Sequence, residues 1–93
     1  MKKIILFGTS LWPTCEPARE ILLENDIRFA YVDISSSILN LKRFLAIRDT
    51  APGYQEIREK HYVGVPCLQI EDQVMYIPDA DFVRNLIKEG AFV

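Results

Sequence analysis

The sequence has few of the residues that bind metals or form disulfide frameworks. Its 93 residues include two cysteines, Cys15 and Cys67, and one histidine, His61. A small secreted domain held by disulfides typically carries about four cysteines or more, and a structural zinc site takes about four ligands. No two of these three residues are close in sequence. We therefore expect neither a disulfide framework nor a metal site.

Long apolar runs and an excess of charge of one sign are also missing. No run approaches the roughly 20 apolar residues that cross a bilayer, and the apolar residues 4–7 are too few for the core of a signal peptide. The net charge is −2, and no basic stripe with interleaved aromatic residues is present. We therefore expect a cytoplasmic protein that binds neither membranes nor nucleic acid.

The remaining composition is that of one globular domain. Apolar residues make up 49% of the chain and charged residues 26%, which is ordinary for a soluble domain. A chain of this length buries a core without covalent crosslinks. Because no linker, repeat or low-complexity segment interrupts it, we expect a single domain over residues 1–93.

The apolar pattern predicts alternating strands and helices. In the first half, strands are expected at 3–8 and 28–34 and helices at 14–25 and from one of Ser35, Ser36 or Ser37 to about Arg48. The second helix should turn Ile38, Leu41, Phe44, Leu45 and Ile47 inward. Residues 49–53 should break it, because they include Pro52 and Gly53.

The second half predicts a short helix, a hairpin and a last helix. The helix is expected at 54–61, the strands at 65–70 and 74–77, and a helix capped by Asp79 at 80–89. The order is then βαβα(α)ββα, with a right-handed crossover between the first two strands. This indicates an α/β fold with a four-stranded mixed sheet flanked by helices.

The most informative stretch is Trp12-Pro13-Thr14-Cys15, which joins the first strand to the first helix. A thiol in the first turn of a helix faces unpaired N–H groups and the positive end of the helix dipole. These groups favour the thiolate, so Cys15 is a candidate reactive residue. The alternative is that Cys15 is a small core residue, because free cysteines are among the most buried residue types.

The chain resembles the glutaredoxins, in particular the small glutaredoxin-related proteins of bacteria. The residues that carry the resemblance are Ile5-Leu6-Phe7-Gly8, Pro13-Thr14-Cys15-Glu16-Pro17-Ala18, Tyr31-Val32-Asp33-Ile34, residues 40–45, Arg48-Asp49 and Gly64-Val65-Pro66-Cys67-Leu68. The resemblance implies a single glutaredoxin-like domain with a thioredoxin-like fold. It also implies thiol–disulfide exchange with glutathione as co-substrate, no bound cofactor, and a thiol or disulfide peptide or protein as partner.

The chain departs from the Cys-Pro-x-Cys motif of that family. Aligned without gaps, Trp12 stands at the nucleophile position and Cys15 at the resolving position. Thr9 is nearest to the family's upstream lysine, and Ile77-Pro78-Asp79 replaces its Gly-Gly turn. The resemblance therefore implies a degenerate site with weak or no dithiol activity. A shifted alignment, with Cys15 as the nucleophile of a monothiol enzyme, stays open.

The resemblance also makes Val65-Pro66 the family's cis-proline position. We expect a cis bond there, which would leave the Val65 N–H and C=O free to pair with an extended peptide such as glutathione. The predicted binding groove comprises Trp12, Pro13, Thr14, Val65 and Pro66. Trp12 is either a stacking surface or a lid over this groove. The alternative to redox activity is therefore a non-catalytic binding module.

Overall fold

A four-stranded mixed sheet with helices on both faces forms the protein. The computed structural model describes residues 2–93, and no helix in that range is long and apolar enough to cross a membrane. The elements are β1 (Ile4–Gly8), α1 (Cys15–Glu24), β2 (Ala30–Asp33), α2 (Ile38–Thr50), a 3₁₀ turn (Pro52–Tyr54), α3 (Gln55–Glu59), β3 (Cys67–Ile70), β4 (Gln73–Tyr76) and α4 (Ala80–Lys88). The predicted α/β class and mixed sheet are confirmed.

The predicted order βαβα(α)ββα is not matched in full, because a 3₁₀ turn lies between α2 and α3. Helix α2 continues to Thr50 instead of ending near Arg48. Pro52 then occupies the start of the 3₁₀ turn, where its missing N–H costs no helical hydrogen bond. The break that Pro52 and Gly53 predict is therefore a tight turn, and it joins the two helices directly.

Strand β1 occupies the centre of the sheet, whose strand order is β2-β1-β3-β4. It pairs in parallel with β2, where Leu6 lies opposite Tyr31, and antiparallel with β3, where Phe7 lies opposite Cys67. All five residues of β1 are buried. A strand covered on both faces is expected to be a continuous apolar run, which explains the Ile-Ile-Leu-Phe sequence.

Successive side chains of β1 point to opposite faces of the sheet, so this strand contributes to two separate cores. Leu6 packs with Leu22 of α1 and Val83 of α4 on one face. Phe7 packs on the other face with residues of α2, the 3₁₀ turn and α3, namely Phe44, Tyr54 and Ile57. The Phe7 and Phe44 ring centroids are 6.0 Å apart, and Phe44 meets Tyr54 edge-on at 6.4 Å.

Side-chain caps begin two of the helices. The Asn40 N–H donates to the Ser37 hydroxyl at 3.0 Å, and the Phe82 N–H donates to the Asp79 carboxylate at 3.0 Å. Both predicted caps are confirmed, and Ser37 is the serine selected. The prediction that Ile38 turns inward is wrong: Ile38 is 73% exposed. Ile38 is the first residue of α2, whereas the fully buried residue of that helix is Phe44. The first turn of α2 therefore extends beyond the core.

The Val65–Pro66 peptide bond is cis, which confirms the prediction. Gly64, just before it, has a φ of +94°, a conformation that glycine tolerates and other residues rarely adopt. The Tyr54 hydroxyl donates to the Gly64 carbonyl at 2.8 Å and ties this segment to the core.

Candidate functional site

The turn from β1 into α1 is fixed by Thr9. The Trp12 N–H donates to the Thr9 carbonyl at 3.2 Å, and the Cys15 N–H donates to the Trp12 carbonyl at 3.2 Å. The Thr9 hydroxyl accepts from the Leu11 N–H and donates to the Ser35 hydroxyl at 2.9 Å. Thr9 is therefore a buried neutral residue that organises the loop.

Cys15 is the first residue of α1 and is fully buried, with 0% exposure. Its sulfur lies against the end of β1, because a Cβ added at Gly8 would stand 3.2 Å from Cys15 Sγ. Burial raises the pKa of the Cys15 thiol, and the Thr9 backbone N–H opposes this only in part. The carboxylates of Glu16 and Asp33 raise the Cys15 pKa further. The structure thus supports the interpretation of Cys15 as a core residue.

Cys67 is also a buried neutral thiol. It begins β3, has 0% exposure and lies beside the Tyr54 hydroxyl. Burial raises the pKa of Cys67 to about 11. Cys15 and Cys67 are both free. Within the described chain, therefore, no thiol is positioned and ionised for nucleophilic attack.

We expect both thiols of the native protein to react slowly with an aromatic disulfide reagent at pH 7. Reaction requires local opening of the core, so the rate should be at least about a hundredfold lower than in denaturant. The control is Ser10→Cys, which adds a thiol at an exposed position of the same loop and should react at once. One fast native thiol that disappears in Cys15→Ser would contradict the burial.

An apolar groove lies beside the loop, and Trp12 forms one side of it. The groove has a volume of about 290 Å³ and is lined by Trp12, His61, Tyr62, Val63, Gly64 and Tyr76. Trp12, Tyr62 and Val63 are 41%, 53% and 44% exposed. Large apolar side chains that remain exposed around one concavity are typical of a binding site.

The wall opposite Trp12 is held through backbone carbonyls. Arg48 donates from Nε and Nη2 to the Tyr62 carbonyl at 3.0 and 2.7 Å. Arg48 also forms a local ion pair with Asp49, at 3.6 Å. His61 lies two residues after the end of α3 and has a φ of +58°, so the helix predicted to reach residue 61 ends at Glu59. Two hydrogen bonds from one guanidinium make this loop a fixed surface.

Val65 and Pro66 follow this wall and are almost fully buried. Val65 is 1% exposed, and its N–H and C=O have no hydrogen-bond partner within residues 2–93. The Pro66 carbonyl, in contrast, accepts from the Ile77 N–H at 2.9 Å. Buried backbone groups are nearly always paired, so Val65 is an exception, and at 1% exposure its N–H and C=O reach an external partner only if the residues that cover them move aside.

The structure brings only part of the predicted groove together. Of the five predicted residues, Trp12 lines the groove, whereas Pro13, Thr14, Val65 and Pro66 are outside the lining, and Val65 is connected to it through its neighbour Gly64. Thr14 is the N-cap of α1, and its buried hydroxyl has no partner among the described residues. Asp79 and Asp81 serve α4 itself, as a cap and as a partner of Arg84 at 2.6 Å.

Sequence reasoning missed Tyr62, Val63 and Tyr76 as groove residues. The usable signal was the aromatic and β-branched pair Tyr62-Val63, which stands outside any predicted element just before Gly64. Within residues 2–93, no group of three or more His, Cys, Asp or Glu side chains is placed to hold a metal ion.

Comparison with known proteins finds one useful relative. No protein-family model matches the chain. The chain is 30% identical over 88 residues to an uncharacterized protein of Haemophilus influenzae. The aligned region covers 95% of this chain and 94% of that protein, so the similarity extends over both proteins from end to end.

Proposed function

The chain belongs to the same family as this Haemophilus influenzae protein, and we propose that it is a glutaredoxin-like protein that binds a thiol-containing peptide without dithiol catalysis. The observation that carries the proposal is the unpaired N–H and C=O of Val65 beside the groove that Trp12 lines. An extended peptide pairs with such backbone groups, and glutathione is the smallest ligand of this kind that the resemblance implies.

A thioredoxin-like fold is part of this proposal. The sheet order β2-β1-β3-β4 supports it, as does the cysteine at the first strand-to-helix turn. The position of Val65-Pro66, directly before the third strand, supports it too. These three features are independent of the side chain at position 12, so the fold can persist after the nucleophile is lost.

The groove offers one type of contact for each part of a small peptide. Once the residues that cover them move, the Val65 N–H and C=O can pair with a peptide backbone, and the Trp12 ring provides a flat apolar surface on which a ligand buries area. Tyr62 and Val63 add apolar contacts on the opposite side. The sequence leaves Trp12 as either a stacking surface or a lid over the groove. The cavity that remains beside the ring favours the stacking surface.

Catalysis by Cys15 as a monothiol is the weaker alternative. Its sulfur is buried, its pKa is raised, and the backbone turn at Trp12 covers the start of α1. Attack on a disulfide requires an exposed thiolate. The geometry therefore supports binding, with weak or no thiol–disulfide exchange.

The test is an NMR titration of ¹⁵N-labelled protein with glutathione and with S-methylglutathione. We expect both ligands to shift the Gly64 and Val65 amide signals with similar affinity, because no thiol chemistry is involved. Trp12→Ala should weaken binding by about tenfold through loss of ring contact. Leu11→Ala is the matched control, since Leu11 is 81% exposed in the same loop and does not line the groove.

Two results would refute the binding proposal. One is a titration in which neither ligand shifts Gly64 or Val65. The other is a mixed disulfide between Cys15 and oxidised glutathione that forms as fast as on an exposed thiol. The second result would establish the monothiol function.

A further inference from the structure

The outer edge of β2 has backbone groups without partners. The Ile34 N–H donates to the Gly8 carbonyl at 2.9 Å, so Ile34 and every second residue before it point their backbone groups toward β1. The Tyr31 N–H and C=O and the Asp33 N–H therefore point away from the sheet. The Asp33 carbonyl is satisfied by Ser36 and Asn40. Tyr31 is thus the centre of an open hydrogen-bonding edge.

This edge is protected only by its length of four residues and by the charge of Asp33 at one end. Natural edge strands are also interrupted by proline, bulges or lysine, or are covered by other segments. The strand Ala30–Asp33 contains neither proline nor lysine, and Ala30 is exposed. The Asp33 carboxylate bonds to the N–H and hydroxyl of Ser35 at the end of the strand. An additional strand can therefore approach Tyr31 directly.

A second groove follows this edge on the α1 face of the sheet. It has a volume of about 470 Å³ and is lined by Arg19, Leu23, Ile27, Arg28, Phe29 and Tyr31. Leu23 is 56% exposed. The lining contains two cations and no carboxylate, on otherwise apolar walls. This composition is complementary to a segment with apolar and acidic side chains.

Arg19 is positioned to receive the acidic group. The Arg19 guanidinium carbon lies 4.5 Å from the centroid of the Tyr31 ring. This contact holds the guanidinium beside the edge of β2. The Arg19 Nε is buried and has no hydrogen-bond partner among the described residues. The Glu16 carboxylate is 3.9 Å from Nη1, too far for a hydrogen bond. Arginine binds carboxylates with paired N–H donors, and the Nη groups of Arg19, whose side chain is 39% exposed, can serve this role.

We propose that β2 accepts one further strand, supplied by an acidic extended segment of a partner protein. Four residues of β2 match a segment of about five residues at about 3.3 Å per residue. Alternate side chains of this segment enter the groove, an apolar one over Leu23 and a carboxylate at Arg19. The remaining side chains lie on the opposite face. This site is separate from the Trp12 groove and does not depend on the function proposed for it.

A second copy of the chain fits the edge less well than an acidic peptide. Antiparallel strands are related by an axis perpendicular to the sheet, so two paired β2 strands would place both α1 helices on the same face. With Tyr31 near that axis, the two Arg19 guanidiniums would approach each other. Like charges at such a contact oppose association.

The probe is an acetylated and amidated peptide, Thr-Val-Thr-Glu-Thr-Ile-Thr, in which Val, Glu and Ile share one face. Its matched control has Gln in place of Glu. We expect the Glu peptide to shift the Tyr31 amide signal of the ¹⁵N-labelled protein and to slow its hydrogen exchange. Val32, whose N–H already faces β1, should show no gain in protection. The Gln peptide should bind about tenfold more weakly.

Arg19→Gln should remove this difference between the peptides, whereas Lys42→Gln, an exposed cation on α2, should leave it intact. Arg19→Gln should not alter the glutathione titration, which separates this site from the Trp12 groove. An unchanged Tyr31 amide at millimolar peptide would overturn the proposal, as would equal affinities for both peptides. Concentration-dependent dimers with Tyr31 protected in the absence of peptide would overturn it in favour of a second copy.

Discussion

Trp12→Cys is expected to form an intramolecular disulfide with Cys15 and to reduce small mixed disulfides, which the parent protein should not do. The substitution creates a Cys-Pro-Thr-Cys turn at the start of α1, whose first residue is Cys15. The N–H groups there lower a thiol pKa from about 8.5 toward about 7. At pH 7 the thiolate fraction then rises from about 3% to about half.

The disulfide is measured by mass spectrometry after mild oxidation, and the activity by a coupled glutathione reductase assay. Leu11→Cys is the control, because it adds a thiol one residue earlier, outside the motif, at an 81% exposed position. It should show neither property. If Trp12→Cys folds but behaves like Leu11→Cys, the gap-free alignment of Trp12 with the family nucleophile is wrong.

Gly64→Ala is expected to be the most destabilising small substitution in the wall of the Trp12 groove. A Cβ at position 64 would lie 2.7 Å from Tyr54 Cε2 and 3.1 Å from Ile57 Cγ2, at a φ of +94°. Tyr54 cannot move away easily, since its ring is buried and its hydroxyl is bonded to the Gly64 carbonyl at 2.8 Å. Backbone strain and overpacking together should lower the free energy of unfolding by about 3 kcal/mol.

Gly90→Ala separates these two contributions. Gly90 also has a positive φ, +75°, but its nearest neighbour to a new Cβ is Val93 Cγ2 at 3.5 Å, an ordinary contact. The Gly90→Ala variant should lose about 1 kcal/mol of its free energy of unfolding, from backbone strain alone. Both variants are compared by urea unfolding at a common slope. Equal losses would show that the Tyr54 ring yields to the added methyl group and does not fix Gly64.

The parts of the fold that the sequence predicts are those determined locally. The apolar run of β1, the cap at Asp79 and the turn chemistry of Pro52 and Gly53 depend on neighbours within a few residues. Ile38 was misassigned because helical spacing alone does not show where a helix extends beyond the core it covers. The sequence pattern also overestimates the length of β2, which is predicted at 28–34 and spans Ala30–Asp33.

The candidate site was harder to predict because burial outweighs local electrostatics. The start of a helix favours the thiolate of Cys15, but desolvation is the largest influence on its pKa and acts in the opposite direction. That desolvation comes from packing against Gly8 and against the core on the Phe7 face of the sheet. A short stretch of sequence does not reveal these contacts. The approach of Tyr76 to Trp12 likewise depends on the sheet order.

The anchoring of residues 61–64 has a consequence for which substitutions the groove tolerates. Arg48 and Tyr54 hold this loop by the carbonyl oxygens of Tyr62 and Gly64, which every residue type possesses. The side chains at 61, 62 and 63 are exposed and carry none of that restraint. Substitutions at 62 and 63 can therefore change the groove surface while the loop keeps its shape, whereas position 61, at a φ of +58°, requires a residue that tolerates this conformation. The loop combines a fixed backbone geometry with a surface chemistry that can vary.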